Sequence, residues 1–245
     1  MDESQKTTRQ GEGVPASEQT RSALVQSALD LFGDKGYDAA STRDIAGSAR
    51  TNIASIAYHF GGKEGLRKAC AQHVVNFVRA LLTSASPGFY QAVDGQARTM
   101  QDAESEILAI LSHLVRTVLV LPQARLIVRF VMREMANPSI VFDILYSGVF
   151  KPSHQRMCTL WATATGRDPD SEAVRISVFT VIGQIVYFRI GSQIVARRMA
   201  WEGYSAEEAS RVADAIIANA RAIIAAERNA MPTEINLSQG SREEQ

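Results

Sequence analysis

From Ser41 to Leu66 the chain reads STRDIAGSARTNIASIAYHFGGKEGL, a run that suits two short helices joined by a tight turn, with a third helix starting straight after. Ser41 is placed to cap the first helix with Asp44 three residues on, each accepting an orphan backbone N–H of the first turn. Ile45 and Ala46 then point inward. The turn falls at Arg50, Thr51 and Asn52, and Asn52 caps a second helix that runs to Phe60. Ile53, Ile56 and Phe60 share one face of it at three- and four-residue spacing. The other face carries Asn52, Ser55, Tyr58 and His59, short or planar polar groups that reach base edges and phosphates without a long flexible stem. Gly61 and Gly62 end the helix.

The rest of the chain also reads as helix, and no run alternates like a strand. A first helix is expected over 18–34, with Leu24, Val25, Ala28, Leu29 and Phe32 as its apolar stripe and Gly33 and Gly36 able to end it. Another, over 63–82, carries Leu66, Cys70, Val74, Phe77, Val78 and Leu81. Helices follow over 102–121 and 123–136, interrupted by Pro138, and over 152–166. A nearly all-apolar helix from about Asp168 to Met199 is expected to be buried on most sides. The last helix opens on a Ser205/Glu208 capping box, with Val212, Ile216, Ile217, Ala220, Ile223 and Ile224 on one face.

The run Thr42-Arg43-Asp44-Ile45-Ala46, with Phe60, Lys63, Glu64 and Leu66, resembles the N-terminal DNA-binding domain of the TetR family of bacterial transcription regulators, over about a quarter of the chain. Asn52 to Glu64 looks most like the CecR (YbiH-like) subgroup, as does Arg129 to Pro138, which is similar to that subgroup's Arg-Glu-x-x-x-Pro element. The usual turn glycine is replaced by Arg50, which need not keep a positive φ, and the usual Ser before the recognition helix by Asn52. A small glycine is replaced by Ala54, a frequent Tyr by Ala57, and the Ser before Lys-Glu by Gly62.

The resemblance implies an all-α fold in which an N-terminal three-helix helix-turn-helix domain precedes a helical ligand-binding and dimerisation domain. The expected boundaries are a disordered tail over 1–16, the DNA-binding domain over 17–77 with its motif at about 40–59, the second domain over 78–228, and a disordered tail over 229–245. Expected DNA contacts are Thr42, Arg43, Asn52, Ser55, Tyr58, His59 and Lys63, with Arg43, Tyr58 and Lys63 on phosphates and Asn52, Ser55 and His59 facing bases. For His59 the alternative is packing against Phe60. In the N-terminal tail Lys6 and Arg9 could in principle reach a minor groove. The implied partners are a double-stranded operator, a second copy of the chain and an unidentified small-molecule effector. A pocket for that effector would draw on Phe77, His113, Arg129, Gln184, Tyr187 and Arg189.

Charge and composition fit this reading. Lys plus Arg equal Asp plus Glu at 26 each, which argues against a histone-like binder. Between Ala39 and Ala80, however, six basic residues face two acidic ones, an excess that suits a phosphate surface. Arg125, Arg129 and Arg133 recur at four-residue spacing along one side of a helix, so each must be solvated, paired or bound to an anion. Cys70 and Cys158 have no metal-like spacing and no export signal precedes them, so they are expected to be buried free thiols in a reducing cytoplasm. The longest uncharged apolar run, Ile176 to Phe188, is 13 residues long and too short to span a bilayer. His59, His73, His113 and His154 are scattered, and neither a phosphate-cradling glycine loop nor a nucleophile elbow is present. No enzyme, metal or cofactor is expected. Two apolar, Ala-rich helices at the end of the chain suit a four-helix bundle between two copies, the alternative being an intramolecular bundle. The rival overall reading is a helical adaptor whose basic stretch binds an acidic protein partner.

Overall fold

A computed structural model describes residues 15–91 and 99–230. The expected tails lie almost wholly outside these residues, as do Lys6 and Arg9; Ala16 and Asn229 are already helical. Among the described residues there is no strand. The helices are α1 (Ala16–Lys35), α2 (Thr42–Ser48), α3 (Ala54–Phe60), α4 (Lys63–Ala85), α5 (Met100–Val120), α6 (Pro122–Ala136), α7 (Ile140–Leu145), α8 (Lys151–Thr165), α9 (Glu172–Ile190), α10 (Ser192–Met199) and α11 (Ala206–Asn229), with a π-helical turn over Tyr146–Phe150. Neither α7 nor the π turn was expected from the sequence.

The chain divides into two compact units, one of residues up to Val75 together with Leu126–Leu145, the other of Asn76–Arg125 together with Tyr146 onwards. In the first unit α1, α2 and α3 pack on one another. The α1 stripe Leu24, Val25, Ala28, Leu29 and Phe32 is buried as its periodicity requires, with Ile45 and Ala46 of α2, Ile56 of α3 and Leu66, Cys70 and Val74 of α4. The C-terminal part of α6 also belongs here. A Cβ on Gly33 would come within 3.1 Å of Arg129 Cβ and 3.2 Å of the Phe130 backbone nitrogen, so a bare α-carbon at Gly33 lets the two helix backbones close up.

The second unit is a helical bundle around Ile107, Ile110, Leu111 and Val115 of α5, Leu160 and Trp161 of α8, Val178, Val181 and Ile185 of α9, and Val212, Ile216, Ala220 and Ile224 of α11. Capping boxes set the starts of α5, at Thr99 and Asp102, and of α11, at Ser205 and Glu208. The single helix expected over 168–199 is instead two. Ser171 caps α9, and the chain breaks at Gly191 before α10. Nor is α9 buried on most sides: Ile176, Phe179, Tyr187 and Ile190 are each more than half exposed. At 19 residues α9 is long and apolar enough to cross a bilayer by length and composition, yet its Val174, Val178, Val181 and Ile185 are core residues of this unit.

Candidate nucleic-acid interface

Local hydrogen bonding builds the α2–α3 turn. The Asp44 N–H donates to Ser41 Oγ at 3.0 Å and the Ser41 N–H to Asp44 Oδ2 at 3.4 Å, completing the expected capping box. The Ser41 hydroxyl and then its N–H hold the exposed Asp44 carboxyl below its ordinary range, with Lys35 and Arg43 adding to them. After α2 the Thr51 N–H donates to Ala46 O at 2.9 Å, and the chain reverses at Arg50. Arg50 sits at φ 53, so it keeps the left-handed backbone that a glycine would adopt freely. That conformation costs an L-residue about 1–2 kcal/mol, which the surrounding turn must offset. Asn52 Oδ1 accepts the Ala54 N–H at 2.9 Å, an Asx turn just ahead of the helix, while the N-cap position expected for Asn52 falls on Ile53, which makes no side-chain cap bond.

Within α3 only Ile56 is fully buried. Ile53, expected to face inward, is 48% exposed, and Tyr58 is 82% exposed. Ser55, His59 and Phe60 are half-buried. The His59 ring centroid lies 4.9 Å from that of Tyr58 and 6.0 Å from that of Phe60. Of the remaining expected contacts, Arg43 and Asn52 are exposed and Thr42 is half-buried.

Most of the local basic excess is engaged within the chain. The Lys63 ammonium lies 4.4 Å from the Tyr37 ring centroid and donates to Asp38 O at 3.4 Å. Lys68 pairs with Glu64 at 2.7 Å, and Arg79 Nε donates to Gly148 O at 2.9 Å. Arg67, stacked 4.4 Å from the same Tyr37 ring, donates through Nε and Nη2 to the two carboxylate oxygens of Glu134, at 2.8 and 2.7 Å. Arg43 and Arg50 remain as the exposed cations beside α3 in the sequence.

Two arginines of the α6 stripe, Arg129 and Arg133, are equally structural, while Arg125 is exposed. Arg129 Nη2 donates to Asp34 Oδ1 at 2.5 Å, and its Nη1 lies 3.6 Å from Asp30. Arg133 donates to the carbonyls of Gly33 and Asp34, at 3.3 and 2.8 Å, satisfying the last turn of α1 and complementing its dipole. Burial pushes the Cys70 thiol far above its ordinary range, with the Glu134 charge adding to the effect, so it stays protonated and inert.

Of the six residues expected around an effector, Arg129 is thus held by α1 in the first unit, while the other five lie in the second. There Phe77 is half-buried, His113 Nε2 is 2.9 Å from Ser84 Oγ, and Gln184 Oε1 accepts from Asn219 at 2.9 Å. Tyr187 is 53% exposed, not enclosed as expected of a polar group in an apolar helix. Arg189 is half-buried, and its guanidinium is pulled below its ordinary pKa by burial first and by the like charge of Arg125 second. Among the described residues no cluster of three or more His, Cys, Asp or Glu side chains could hold a metal.

Residues 103–227 match the family described as HTH-type transcriptional dual regulator CecR, C-terminal domain. Residues 24–70 match the bacterial regulatory proteins, tetR family. The chain is 28% identical over 197 residues to the HTH-type transcriptional dual regulator CecR of Shigella flexneri, covering 78% of this chain and 85% of that one. Its fold is similar to that of AibR in complex with isovaleryl coenzyme A and operator DNA, with TM-score 0.60 at 14% identity over 82% of this chain and 97% of that one. It is also similar to a TetR-like transcriptional regulator from Rhodococcus sp. RHA1, with TM-score 0.58 at 15% identity over 86% of this chain and 99% of that one.

Proposed function

Because this chain belongs to the TetR family of bacterial transcription regulators, in the group with a CecR-type C-terminal domain, we propose that it acts as a homodimeric repressor, binding a palindromic operator and released by a small molecule in its second unit. The observation that carries the reading is the capped α2–turn–α3 arrangement. It holds α3 by one buried residue, Ile56, and leaves the opposite side of the helix to solvent. Two such helices on a twofold axis meet successive major-groove half-sites about 34 Å apart. Effector control is supported by AibR, whose structure combines an acyl coenzyme A with operator DNA. Phe77, His113, Gln184, Tyr187 and Arg189 are the candidate contacts for an effector here.

The test is to capture genomic fragments with the purified protein at moderate salt and sequence what is retained. A few fragments sharing an inverted repeat are expected, with affinity falling steeply as salt rises. Arg43→Ala should lower the log–log salt slope by about 0.9 for each phosphate that Arg43 neutralises, and Tyr58→Ala should weaken retention. Absent or sequence-blind retention would put the adaptor reading in its place.

Dimerisation is supported by the apolar face that one copy leaves open. It comprises Ile176, Phe179, Tyr187 and Ile190 of α9 and Ile194 of α10, at exposures of 53–66%. Exposed alanines of α11, among them Ala215, Ala218, Ala222 and Ala225, let helices approach closely. Gly183 lies between Phe179 and Tyr187 on α9, and a Cβ built on it meets nothing within 4 Å of the same chain. Gly183→Arg should therefore leave the folded protomer intact, while placing a charge in the pairing face and weakening self-association well over tenfold. Sedimentation against concentration reads the outcome. A variant that stays dimeric would move the interface elsewhere.

A further inference from the structure

The solvent side of α3 is an apolar surface. Ile53, Ala54, Ala57, Tyr58 and Gly61 are all exposed, and at about 100° per residue they fall within one arc of about 140°. Across that arc the Tyr58 hydroxyl is the one side-chain group able to hydrogen-bond. The polar residues that could read base edges are placed otherwise. Ser55 and His59 lie half-buried on the opposite arc, and the Asn52 carboxamide is tied to the backbone at the start of the helix, its carbonyl oxygen accepting the Ala54 N–H at 2.9 Å. Residues 54–60, ASIAYHF, contain no Arg, Lys, Asn or Gln, the side chains that make bidentate contacts to guanine or adenine. Cations are exposed on the adjoining elements instead, Arg50 in the turn and Arg43 in the first turn of α2.

An apolar strip with exposed cations on the adjoining elements suits a groove floor that offers methyl groups beside its phosphate backbones. In the major groove the C5-methyl of thymine is the apolar feature of the base code. We propose that α3 reads its operator through thymine methyl groups, contacted by Ile53 and Ala57, and not through bidentate hydrogen bonds. Alanine at positions 54 and 57 keeps the side chains short enough for the helix backbone to approach the bases, while Ile53 supplies the branched surface that a methyl group packs against. The half-site beneath α3 is therefore expected to carry A·T pairs. This inference rests on the DNA-binding reading above.

The experiment replaces thymine by uracil, one position at a time, in an operator duplex obtained by genomic capture. Uracil keeps every hydrogen-bonding group and removes the methyl alone. Affinity should fall about fourfold for each methyl that the helix touches, and about fifteenfold when the symmetry-related methyl is removed as well. Ile53→Ala should bind the thymine duplex more weakly and show no further weakening at the uracil that Ile53 senses, the non-additivity expected of a direct contact. Because Ile53 is 48% exposed, that variant is expected to fold, and circular dichroism checks it. Specific binding that no uracil weakens overturns methyl reading while leaving the regulator intact. A uracil penalty unchanged in both Ile53→Ala and Ala57→Gly overturns the assignment to these side chains. Failure to capture any specific DNA removes the regulator reading and this inference together.

Discussion

Glu134→Ala is expected to destabilise the protein by about 3–5 kcal/mol, because it strands a guanidinium that the fold has largely removed from water. The Glu134 side chain is 3% exposed and that of Arg67 16%, and the two share paired charge-assisted hydrogen bonds at 2.8 and 2.7 Å. Glu134 also accepts from Ser139 Oγ at 3.3 Å, at the foot of α7. Removing the carboxylate leaves Arg67 with the Tyr37 ring on one side, a contact worth about 1–2 kcal/mol at most and no substitute for an anion. For a chain of this size the loss should lower Tm by about 6–20 °C, and urea unfolding should report the same free energy. The double variant Arg67→Met, Glu134→Leu should recover most of it, since desolvating both charges offsets much of their mutual attraction. A loss below about 1 kcal/mol would mean that Arg67 swings into solvent and that the pair contributes little.

Gly65→Ala is expected to cost about 3 kcal/mol at a site where alanine would ordinarily help a helix by about 1 kcal/mol. A Cβ on Gly65 would lie 1.8 Å from Phe60 O and 3.0 Å from Phe60 C, both backbone atoms that no rotamer change can move away. The turn between α3 and α4 passes through Gly61 and Gly62 at φ 71 and 125, so it is already committed to conformations with no slack for a side chain. Relief requires shifting the C-terminal end of α3, which should disturb DNA recognition as well as stability. Gly47→Ala is the control. It lies in α2, a Cβ there meets nothing within 4 Å, and it should be neutral or stabilising in the same urea titration. Equal behaviour of the two variants would show that the α3–α4 turn yields more readily than its backbone spacing indicates.

Interactions reaching three or four residues along the chain are legible in the sequence where residue type and spacing are distinctive, though the Ser171 cap of α9 and the short α7 escaped that reading. The capping boxes at Ser41/Asp44 and Ser205/Glu208 need only a hydroxyl, a carboxylate and their spacing, and both are formed. The stripe from Leu24 to Phe32 likewise follows from helical periodicity and is buried throughout. All-α architecture, the helix-turn-helix and the family are thus properties of the sequence. Other features depended on what lies across the helix. Periodicity groups Ile53 with Ile56 and Phe60, but a seven-residue helix resting on Ile56 presents only a narrow buried strip, and Ile53 falls outside it. Hydropathy makes α9 uniformly apolar, yet only the bundle decides that Val178 and Val181 meet the core while Phe179 and Tyr187 face out. The arginines of α6 look alike at four-residue spacing. Asp30 and Asp34, about a hundred positions earlier, turn Arg129 from a ligand candidate into a structural tie, and Glu134 finds Arg67 at a separation of 67. Local hydrogen bonds and helical periodicity are written in neighbouring residues, whereas burial and ion pairing are set by whichever distant segment folds against them, and only the tertiary structure supplies that partner.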